Sequence, residues 1–390
     1  MIYYGVTVAV VFIFLFQLID TDLDIKGLLL IVLFCFVLAL GTIITTGSFD
    51  TAYLIHFFRA LISWCTMFTV YYFYEYLKSF KDVSISFELI YIRSTVVYIS
   101  GTAVFLLFPT LRNFWYSIIV DFSENTFIDF SLFPTRFGFA GFSGFLSTFI
   151  VSSAAIYLSY LYTNGEISLR SFKIYSIVLL VGNFFYGRSG LVITVLCLGA
   201  TAVYCFIFQS KKLLLFYFNL IILCVIAVLL SYFFIPASRV VIQWAFEPII
   251  NLATKGELSS YSTDDLLSFY KNFSPSVKTF IKGDGYWTDG GGYYGSTDVG
   301  FMRHIYYGGV FYTISLYCMY VFFLFILFRK LKKNNKTGSL FIIFLLLLNY
   351  VIFEFKGDVT FLSIKSFLPL LLSNMKWTEK IYYKENSLLF

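Results

Sequence analysis

Long apolar runs separated by short polar turns fill most of the chain, and one polar stretch at about 236–300 interrupts them. Runs of roughly 17–25 apolar residues are long enough to cross a bilayer as helices. The pattern therefore predicts an all-α polytopic membrane protein, with a single membrane domain over 1–390 and one large loop of short helices at 236–300. The eleven transmembrane helices that it predicts lie near 2–19, 27–46, 52–76, 87–109, 137–162, 172–186, 189–209, 213–234, 301–328, 339–355 and 360–374.

Composition agrees with this assignment. Of the 390 residues, 59% are hydrophobic and only 13% are charged, whereas soluble domains carry about 25% charged residues. The six cysteines all lie inside apolar runs and form no CxxC or Cys/His pattern. The sequence therefore predicts no disulfide framework, no metal site and no cofactor.

Lysine and arginine are concentrated in every second loop from the third helix onward. Because basic residues of short loops stay in the cytoplasm, these loops are predicted to be cytoplasmic: Lys78 and Lys81, Arg170 and Lys173, Lys211 and Lys212, Arg329 to Lys336, and Lys376 to Lys384. The 110–136 segment, the turn around Arg188, the 236–300 loop and the 355–359 turn then face the other side. The net charge of +6 follows from the cytoplasmic loops, and no nucleic-acid partner is predicted.

Four arginines fall at the predicted non-cytoplasmic helix ends or loops: Arg136, Arg188, Arg239 and Arg303. An isolated arginine at such a position often extends to lipid headgroups, and that interpretation stays open for each of them. Arg188 differs because it stands between two apolar runs with almost no loop, and a charge at membrane depth usually marks function. Since the guanidinium fork suits phosphate oxygens, arginines at one depth predict a site for a lipid-linked diphosphate.

Two segments late in the polar loop carry further candidate chemistry. Six glycines lie within 283–295, which is typical either of a flexible loop end or of a backbone that approaches a sugar or phosphate closely. Asp298 directly precedes an apolar helix that contains Arg303 and His304. Thr297 or Asp298 is a candidate cap of that helix. Alternatively, Asp298 is a general base that takes a proton from an attacking sugar hydroxyl.

Taken in order, these segments resemble the Wzy family of O-antigen polymerases and the related O-antigen ligases. They are similar to the family's R-x-G entry to a central helix, its S-R-G/S-x-L turn, the R-x4-W opening of its periplasmic loop, the G-x-G late in that loop, and the motif that opens the next helix. A glycine stands at 187 where serine is usual. The residues that carry the resemblance are Phe133 to Gly141, Gly187 to Leu191, Arg239 with Trp244, Gly283 to Gly285, and Thr297 to Gly309.

The resemblance implies a GT-C-type glycosyltransferase of the bacterial inner membrane that needs neither metal nor nucleotide sugar. Such an enzyme joins oligosaccharide repeat units carried on undecaprenyl diphosphate, as donor and acceptor, with its active site facing the periplasm. A chain-length regulator protein is a further partner that the family allows.

The resemblance also implies roles for individual residues. Arg188 and Arg239 are expected to stabilise the departing diphosphate, since preorganised cations act where charge develops, and Asp298 is the expected base. The other residues expected to bind diphosphate or glycan are Arg136, Arg303, His304, Trp244, Tyr286 and Trp287.

Three alternatives stay open. Ligases carry His-Asn where this chain has Thr297-Asp298, which favours a polymerase over a ligase. A polymerase of capsule or of another surface glycan has the same chemistry. A lipid-linked glycan flippase or other transporter is expected to line a central cavity with charges, whereas the charges within helices are few here: Arg59, Glu75 and Lys365.

Overall fold

The structure is a computed structural model, and it describes residues 23–80, 85–119, 137–138, 141–142, 144–208, 212–234, 236–257, 259–290, 292–334, 336 and 338–374. The predicted helix near 2–19 and the candidate residue Arg136 lie outside these residues, as does the basic segment at 376–384.

Helices make up nearly all of the described chain. They are α1 (Leu23–Thr46), α2 (Ala52–Phe80), α3 (Phe87–Leu107), α4 (Pro109–Ile119), α5 (Gly144–Thr163), α6 (Leu169–Tyr186), α7 (Arg188–Phe208), α8 (Lys212–Phe234), α9 (Pro236–Lys255), α10 (Tyr261–Asn272), α11 (Val277–Lys282), α12 (Gly300–Lys333), α13 (Ser339–Glu354) and α14 (Thr360–Ser373). Two antiparallel hairpins of two-residue strands pair β1 (Phe137–Gly138) with β2 (Gly141–Phe142) and β3 (Thr288–Asp289) with β4 (Gly292–Tyr293), and a 3-10 turn follows at Tyr294–Ser296.

The all-α membrane class is confirmed. Each predicted helix from 27–46 onward coincides with an observed helix, and the largest difference is at α5, which begins at Gly144 because Phe137–Gly138 and Gly141–Phe142 form β1 and β2. Within the described residues, four helices are long and apolar enough to cross a membrane: Phe87–Leu107, Phe145–Thr163, Arg188–Phe208 and Gly300–Lys333. Shorter apolar helices lie at Leu33–Thr46, Lys212–Ile222 and Ser339–Glu354. The count of eleven spans stays a prediction.

Serine side chains mark the starts of several helices. A serine at this position accepts a hydrogen bond from a backbone N–H of the first turn, which has no partner inside the helix. Such caps occur at Ser86 with Leu89 N–H, Ser168 with Ser171 N–H, Ser260 with Thr263 N–H, and Ser276 with Thr279 N–H. The last two caps divide the polar 236–300 segment into short helices.

Large apolar side chains cover the outside of the helix bundle. On α8 the side chains of Leu215, Phe218 and Phe233 are all more than 60% exposed, and on α7 Val192 and Val195 are each 53% exposed. A soluble protein rarely exposes contiguous apolar surface of this extent. The outward faces are those expected of helices that contact lipid.

Helix α5 forms the centre of the bundle and packs against α3, α6, α7 and α13. Its segment from 151 to 161 is buried at every position. The small polar residues within it bond to neighbouring helices: Ser152 Oγ donates to Asn349 Oδ1 at 3.0 Å, and Thr201 Oγ1 donates to Ser159 Oγ at 2.7 Å. Small residues let helix backbones approach closely, and hydrogen bonds between helices replace those that lipid cannot provide.

Helix α12 is broken one-third of the way along, at Gly309. This glycine has φ 75° and ψ −179°, a conformation essentially reserved for glycine. Near the break, the carbonyl of Tyr306 accepts from Asp284 N–H at 2.7 Å and that of Tyr307 from Gly285 N–H at 2.9 Å. The segment after α11 is therefore docked into the interrupted helix through its backbone.

We expect Gly309→Ala to destabilise the protein by about 1–3 kcal/mol, because alanine strongly disfavours this backbone conformation and its Cβ would lie 2.2 Å from the carbonyl oxygen of Ile281. Thermal unfolding of the purified protein in detergent measures the effect. The matched control is Gly199→Ala in α7, where a Cβ meets nothing within 4 Å and helix propensity favours alanine. Equal unfolding midpoints for the two variants would contradict the proposed constraint.

Candidate functional site

The candidate site lies at one end of the bundle, which we call the site end. It contains residues 47–51 between α1 and α2, the 284–299 segment, the start of α12 and the 355–359 turn between α13 and α14. The opposite end of α12 carries the basic residues Lys330, Lys332 and Lys333 in its last turn. The site end is thus the end that the charge pattern predicts to be non-cytoplasmic.

The first residue of α12 is Gly300, and its lack of a side chain leaves room for the carboxylate of Glu354. A Cβ at Gly300 would lie 2.3 Å from Glu354 Oε1. The residue before the helix is Val299, whose N–H donates to Thr297 Oγ1 at 3.2 Å, and no side chain caps the helix. The predicted alternative in which Asp298 caps α12 is therefore wrong, and the Asp298 side chain is exposed instead.

One turn further along α12, His304 is fully buried among oxygen atoms. Its Nε2 lies 3.3 Å from Glu354 Oε1 and 3.4 Å from Asp358 Oδ1, and 3.1 Å from Thr360 Oγ1. The side chains of Glu354 and Asp358 are 5% and 3% exposed. We call His304, Glu354 and Asp358 the buried centre.

Backbone and side-chain donors hold the two carboxylates of the buried centre in place. Glu354 Oε2 accepts from Val359 N–H at 3.1 Å, and Glu354 Oε1 accepts from the Tyr317 hydroxyl at 3.3 Å. Asp358 Oδ1 accepts from Thr360 N–H at 3.1 Å. The positions of these carboxylates are thus fixed by the turn between α13 and α14 and by α12 itself.

Arg303 lies beside the buried centre and is held between two aromatic rings. Its guanidinium carbon lies 3.8 Å from the centre of the Trp287 ring and 3.7 Å from that of Tyr293. The residue is only 7% exposed, and its Nε has no hydrogen-bond partner among the described residues. Stacking satisfies the faces of a guanidinium but leaves its edge donors in need of acceptors.

Asp298 lies within electrostatic reach of Arg303. Although Asp298 keeps an accessible surface, nearby protein atoms displace part of the water around its carboxyl and raise its pKa above the ordinary value. The positive charges of Arg303 and Lys356 oppose that rise without cancelling it. A carboxylate whose pKa is raised is a stronger base than a fully hydrated one. The exposed Asp298 is therefore suited to accept a proton at this site.

Trp287 is anchored from the α1–α2 turn. Asp50 Oδ2 accepts from the backbone N–H of Trp287 at 2.7 Å and of Thr288 at 3.1 Å, and Asp50 Oδ1 accepts from Ala52 N–H at 2.8 Å. The Trp287 ring packs 4.5 Å from Tyr53 and 5.6 Å from His304. A single carboxylate thus fixes the ring that separates Arg303 from His304.

The glycine-rich segment serves the packing of the site end. Thr279 Oγ1 and the Tyr294 hydroxyl donate to the two carboxylate oxygens of Asp284 at 3.0 and 3.1 Å. Tyr286 packs against Tyr294, with ring centres 5.5 Å apart, and is 40% exposed. The sequence predicted either a flexible loop end or a ligand-facing loop here. Neither description fits Gly283–Gly285, because the backbone of this segment is bound to α12.

Arg188 lies at the same end of the bundle, where it is the first residue of α7. A Cβ at Gly190 would lie 2.1 Å from Thr148 Cγ2, so glycine lets the first turn of α7 sit on the start of α5. Arg188 Nη1 donates to Glu247 Oε2 of α9 at 2.8 Å. The pair is partly exposed, with 18% and 27% of the two side chains accessible.

The structure brings together some of the site residues that the sequence predicted. Arg303, His304, Trp287 and Asp298 form one cluster, and Tyr286 lies at its edge through Tyr294. Arg188 is paired with Glu247. The side chains of Arg239 and Trp244, on α9, and the whole of Arg136 lie outside the described part of the chain.

Sequence reasoning missed Glu354, Asp358, Asp50 and Tyr53. One signal was present: Glu354 ends an apolar run, and an ionisable residue at the edge of a membrane helix indicates a functional or paired group. Nothing in the pattern links it to His304, fifty residues earlier, because that contact depends on how α12 and α13 pack.

Comparison of the chain with known protein families, with curated proteins and with solved structures finds no match. The resemblance to the Wzy family stays a prediction that rests on short motifs.

We expect Asp50→Asn to lower the unfolding midpoint at neutral pH. Burial raises the pKa of Asp50, but hydrogen bonds from Trp287, Ala52 and Thr288 outweigh it, so the pKa is lowered overall. A lowered carboxyl pKa stabilises the folded state above the unfolded value of about 3.9, and that contribution is lost as pH falls through the folded pKa. The difference between wild type and Asp50→Asn should therefore shrink below about pH 4.

Thermal scans in detergent from neutral to acidic pH test this. Asp289→Asn, an exposed change in the same hairpin, is the control and should match wild type at every pH. A difference between wild type and Asp50→Asn that stays constant into acid would contradict the assigned role of Asp50.

Proposed function

We propose that this chain is a GT-C-type glycosyltransferase that polymerises surface polysaccharide at the periplasmic face of the bacterial inner membrane. Its donor and acceptor are oligosaccharide repeat units linked to undecaprenyl diphosphate. The full count of eleven spans, the O-antigen as product and a chain-length regulator as partner belong to this proposal.

The observation that carries the proposal is a stacked guanidinium within electrostatic reach of an accessible carboxylate. Arg303 is held between Trp287 and Tyr293 with a donor that has no partner among the described residues, and its charge acts on Asp298, whose pKa is raised. Polymerisation needs a cation for the leaving diphosphate, a base for the attacking hydroxyl and flat rings for sugars. This cluster contains one of each.

In the proposed reaction, a sugar hydroxyl of the acceptor attacks C1 of the donor glycan. The new C1–O bond forms as the bond from C1 to the diphosphate oxygen breaks, the hydroxyl proton passes to the Asp298 carboxylate, and undecaprenyl diphosphate leaves with the electron pair. Arg303 and Arg188 stabilise the negative charge that develops on the diphosphate, since fixed cations in a water-poor site cost no reorganisation. Arg239 is assigned the same role by its position in the motif.

Glu247 is a positioning residue in this proposal. Its ion pair with Arg188 Nη1 fixes a long side chain at the membrane boundary, so that less rotamer freedom is lost when the diphosphate binds. The pair also links the start of α7 to α9, the first helix of the polar segment.

Deletion of the gene from its host tests the function. Gel analysis of surface polysaccharide should show single repeat units in place of a ladder of chain lengths. Accumulation of free lipid-linked polymer would identify a ligase, and loss of all outer-face material would identify a flippase; either result contradicts the proposal.

The same strain tests Asp298. Wild type and Asp265→Asn, an exposed carboxylate change on α10, should restore the ladder. Asp298→Asn should not, because loss of a general base slows turnover by about 10²–10⁴-fold. A normal ladder with Asp298→Asn at wild-type protein levels would remove Asp298 from the chemistry.

Substitutions of each residue distinguish the role of Arg188 from that of Glu247. Arg188→Ala and Arg188→Lys should each reduce polymerisation by about 10²–10³-fold, because neither retains the guanidinium fork. Glu247→Gln should lose far less, since it leaves the guanidinium in place. Assays of purified protein with lipid-linked repeat units measure both, and equal losses for Arg188→Ala and Glu247→Gln would show that the ion pair is only structural.

A further inference from the structure

The buried centre places more oxygen atoms around His304 Nε2 than one hydrogen bond can satisfy. A single Nε2 of His304 faces three oxygen atoms at 3.1–3.4 Å, from Glu354, Asp358 and Thr360. A ring nitrogen carries at most one hydrogen, so it satisfies only one of the three. A histidinium paired with a carboxylate would moreover be expected at about 2.7–2.9 Å, which is shorter than either carboxylate distance.

The same distances fit three ligands around one ion. Zinc binds imidazole nitrogen and carboxylate oxygen at about 2.0–2.2 Å in tetrahedral geometry, which places neighbouring ligand atoms about 3.3–3.6 Å apart. His304 Nε2 lies 3.3 Å from Glu354 Oε1 and 3.4 Å from Asp358 Oδ1, and the ligand atoms of the three residues all lie within 4.8 Å of one another. A bound cation would also offset the repulsion between the two buried carboxylates, which otherwise disfavours the ionisation of both.

The surroundings hold these ligands in place, as the neighbours of metal ligands usually do. Glu354 is fixed by Val359 N–H and by the Tyr317 hydroxyl, and Asp358 by Thr360 N–H. Gly300 leaves the space that the Glu354 carboxylate occupies. Glu354 Oε1 and Asp358 Oδ1 each accept one of these hydrogen bonds and keep a further lone pair for an ion.

We propose that His304, Glu354 and Asp358 bind one divalent transition-metal ion of the Zn²⁺ class, with Thr360 Oγ1 beside the fourth position. One imidazole with two carboxylates suits Zn²⁺ or Mn²⁺ better than Ca²⁺, which takes six to eight oxygen ligands, or Mg²⁺, which is bound through oxygen. The tetrahedral spacing favours Zn²⁺. This site goes beyond the proposed polymerase, departs from the metal-free protein that the sequence predicts, and does not depend on what the enzyme makes.

Metal content of the purified protein tests the proposal directly. The full chain is purified in detergent, without chelator and on an affinity tag that does not bind metal, and is analysed by inductively coupled plasma mass spectrometry. We expect about one zinc per chain. His304→Gln, Glu354→Gln and Asp358→Asn should each reduce it at least about 10-fold, as expected for loss of one of three ligands, whereas Asp265→Asn should retain it.

A second measurement keeps the test independent of variant folding. Wild type stripped with chelator should unfold at a lower temperature and recover its midpoint on addition of Zn²⁺, and Asp358→Asn should show no response. Zinc at background level in wild type, with no shift on addition, would overturn the proposal and leave a histidinium between the carboxylates. Zinc that is bound equally by wild type and the three variants would overturn it too, because the ion would then lie elsewhere.

Discussion

Two carbonyls of α12, those of Tyr306 and Tyr307, accept hydrogen bonds from Asp284 and Gly285, which lie outside that helix. In a low-dielectric bundle an unpaired backbone group costs several kcal/mol, so a helix broken at Gly309 needs an outside donor. The docked segment supplies it, and Trp287 follows two residues later. The ring that contacts Arg303 and His304 is thus positioned by a backbone requirement of the membrane helix, and the polar loop cannot move away without exposing those carbonyls.

The site end concentrates charge where the bundle is otherwise apolar. Glu354, Asp358 and His304 are nearly inaccessible to solvent, and each carboxylate is held by backbone or hydroxyl donors. Buried carboxylates without compensation would be neutralised rather than retained as charges. The fold meets part of this cost with N–H groups of the turn between α13 and α14, and the proposed metal ion would supply the balancing positive charge. The short turn at 355–359 is therefore as important to the site as the long loop.

The apolar pattern predicted the helices well, because lipid-facing and core-facing residues are both hydrophobic and each run has the length of a membrane span. It also predicted Trp287, Asp298, Arg303 and His304, which lie close together in sequence. It failed for contacts between distant segments. Asp50 reaches Trp287 across more than two hundred residues, and Glu354 reaches His304 across fifty; no period or motif encodes such pairs. The cap predicted for Asp298 failed because α12 begins at Gly300 with Val299 as its N-cap, so Asp298 lies one residue too early.

Consecutive residues on a helix point about 100° apart, so Arg303 and His304 make different contacts. Arg303 stacks between Trp287 and Tyr293, and His304 lies against Glu354 and Asp358. The negative charges of Asp358 and Asp298 both act on Arg303. Trp287 contacts the side chains of both Arg303 and His304. Its indole lies over the Arg303 guanidinium, and its ring centre is 5.6 Å from that of the His304 imidazole. Trp287 is therefore a wall shared by Arg303 and the buried centre, and Asp50 anchors it.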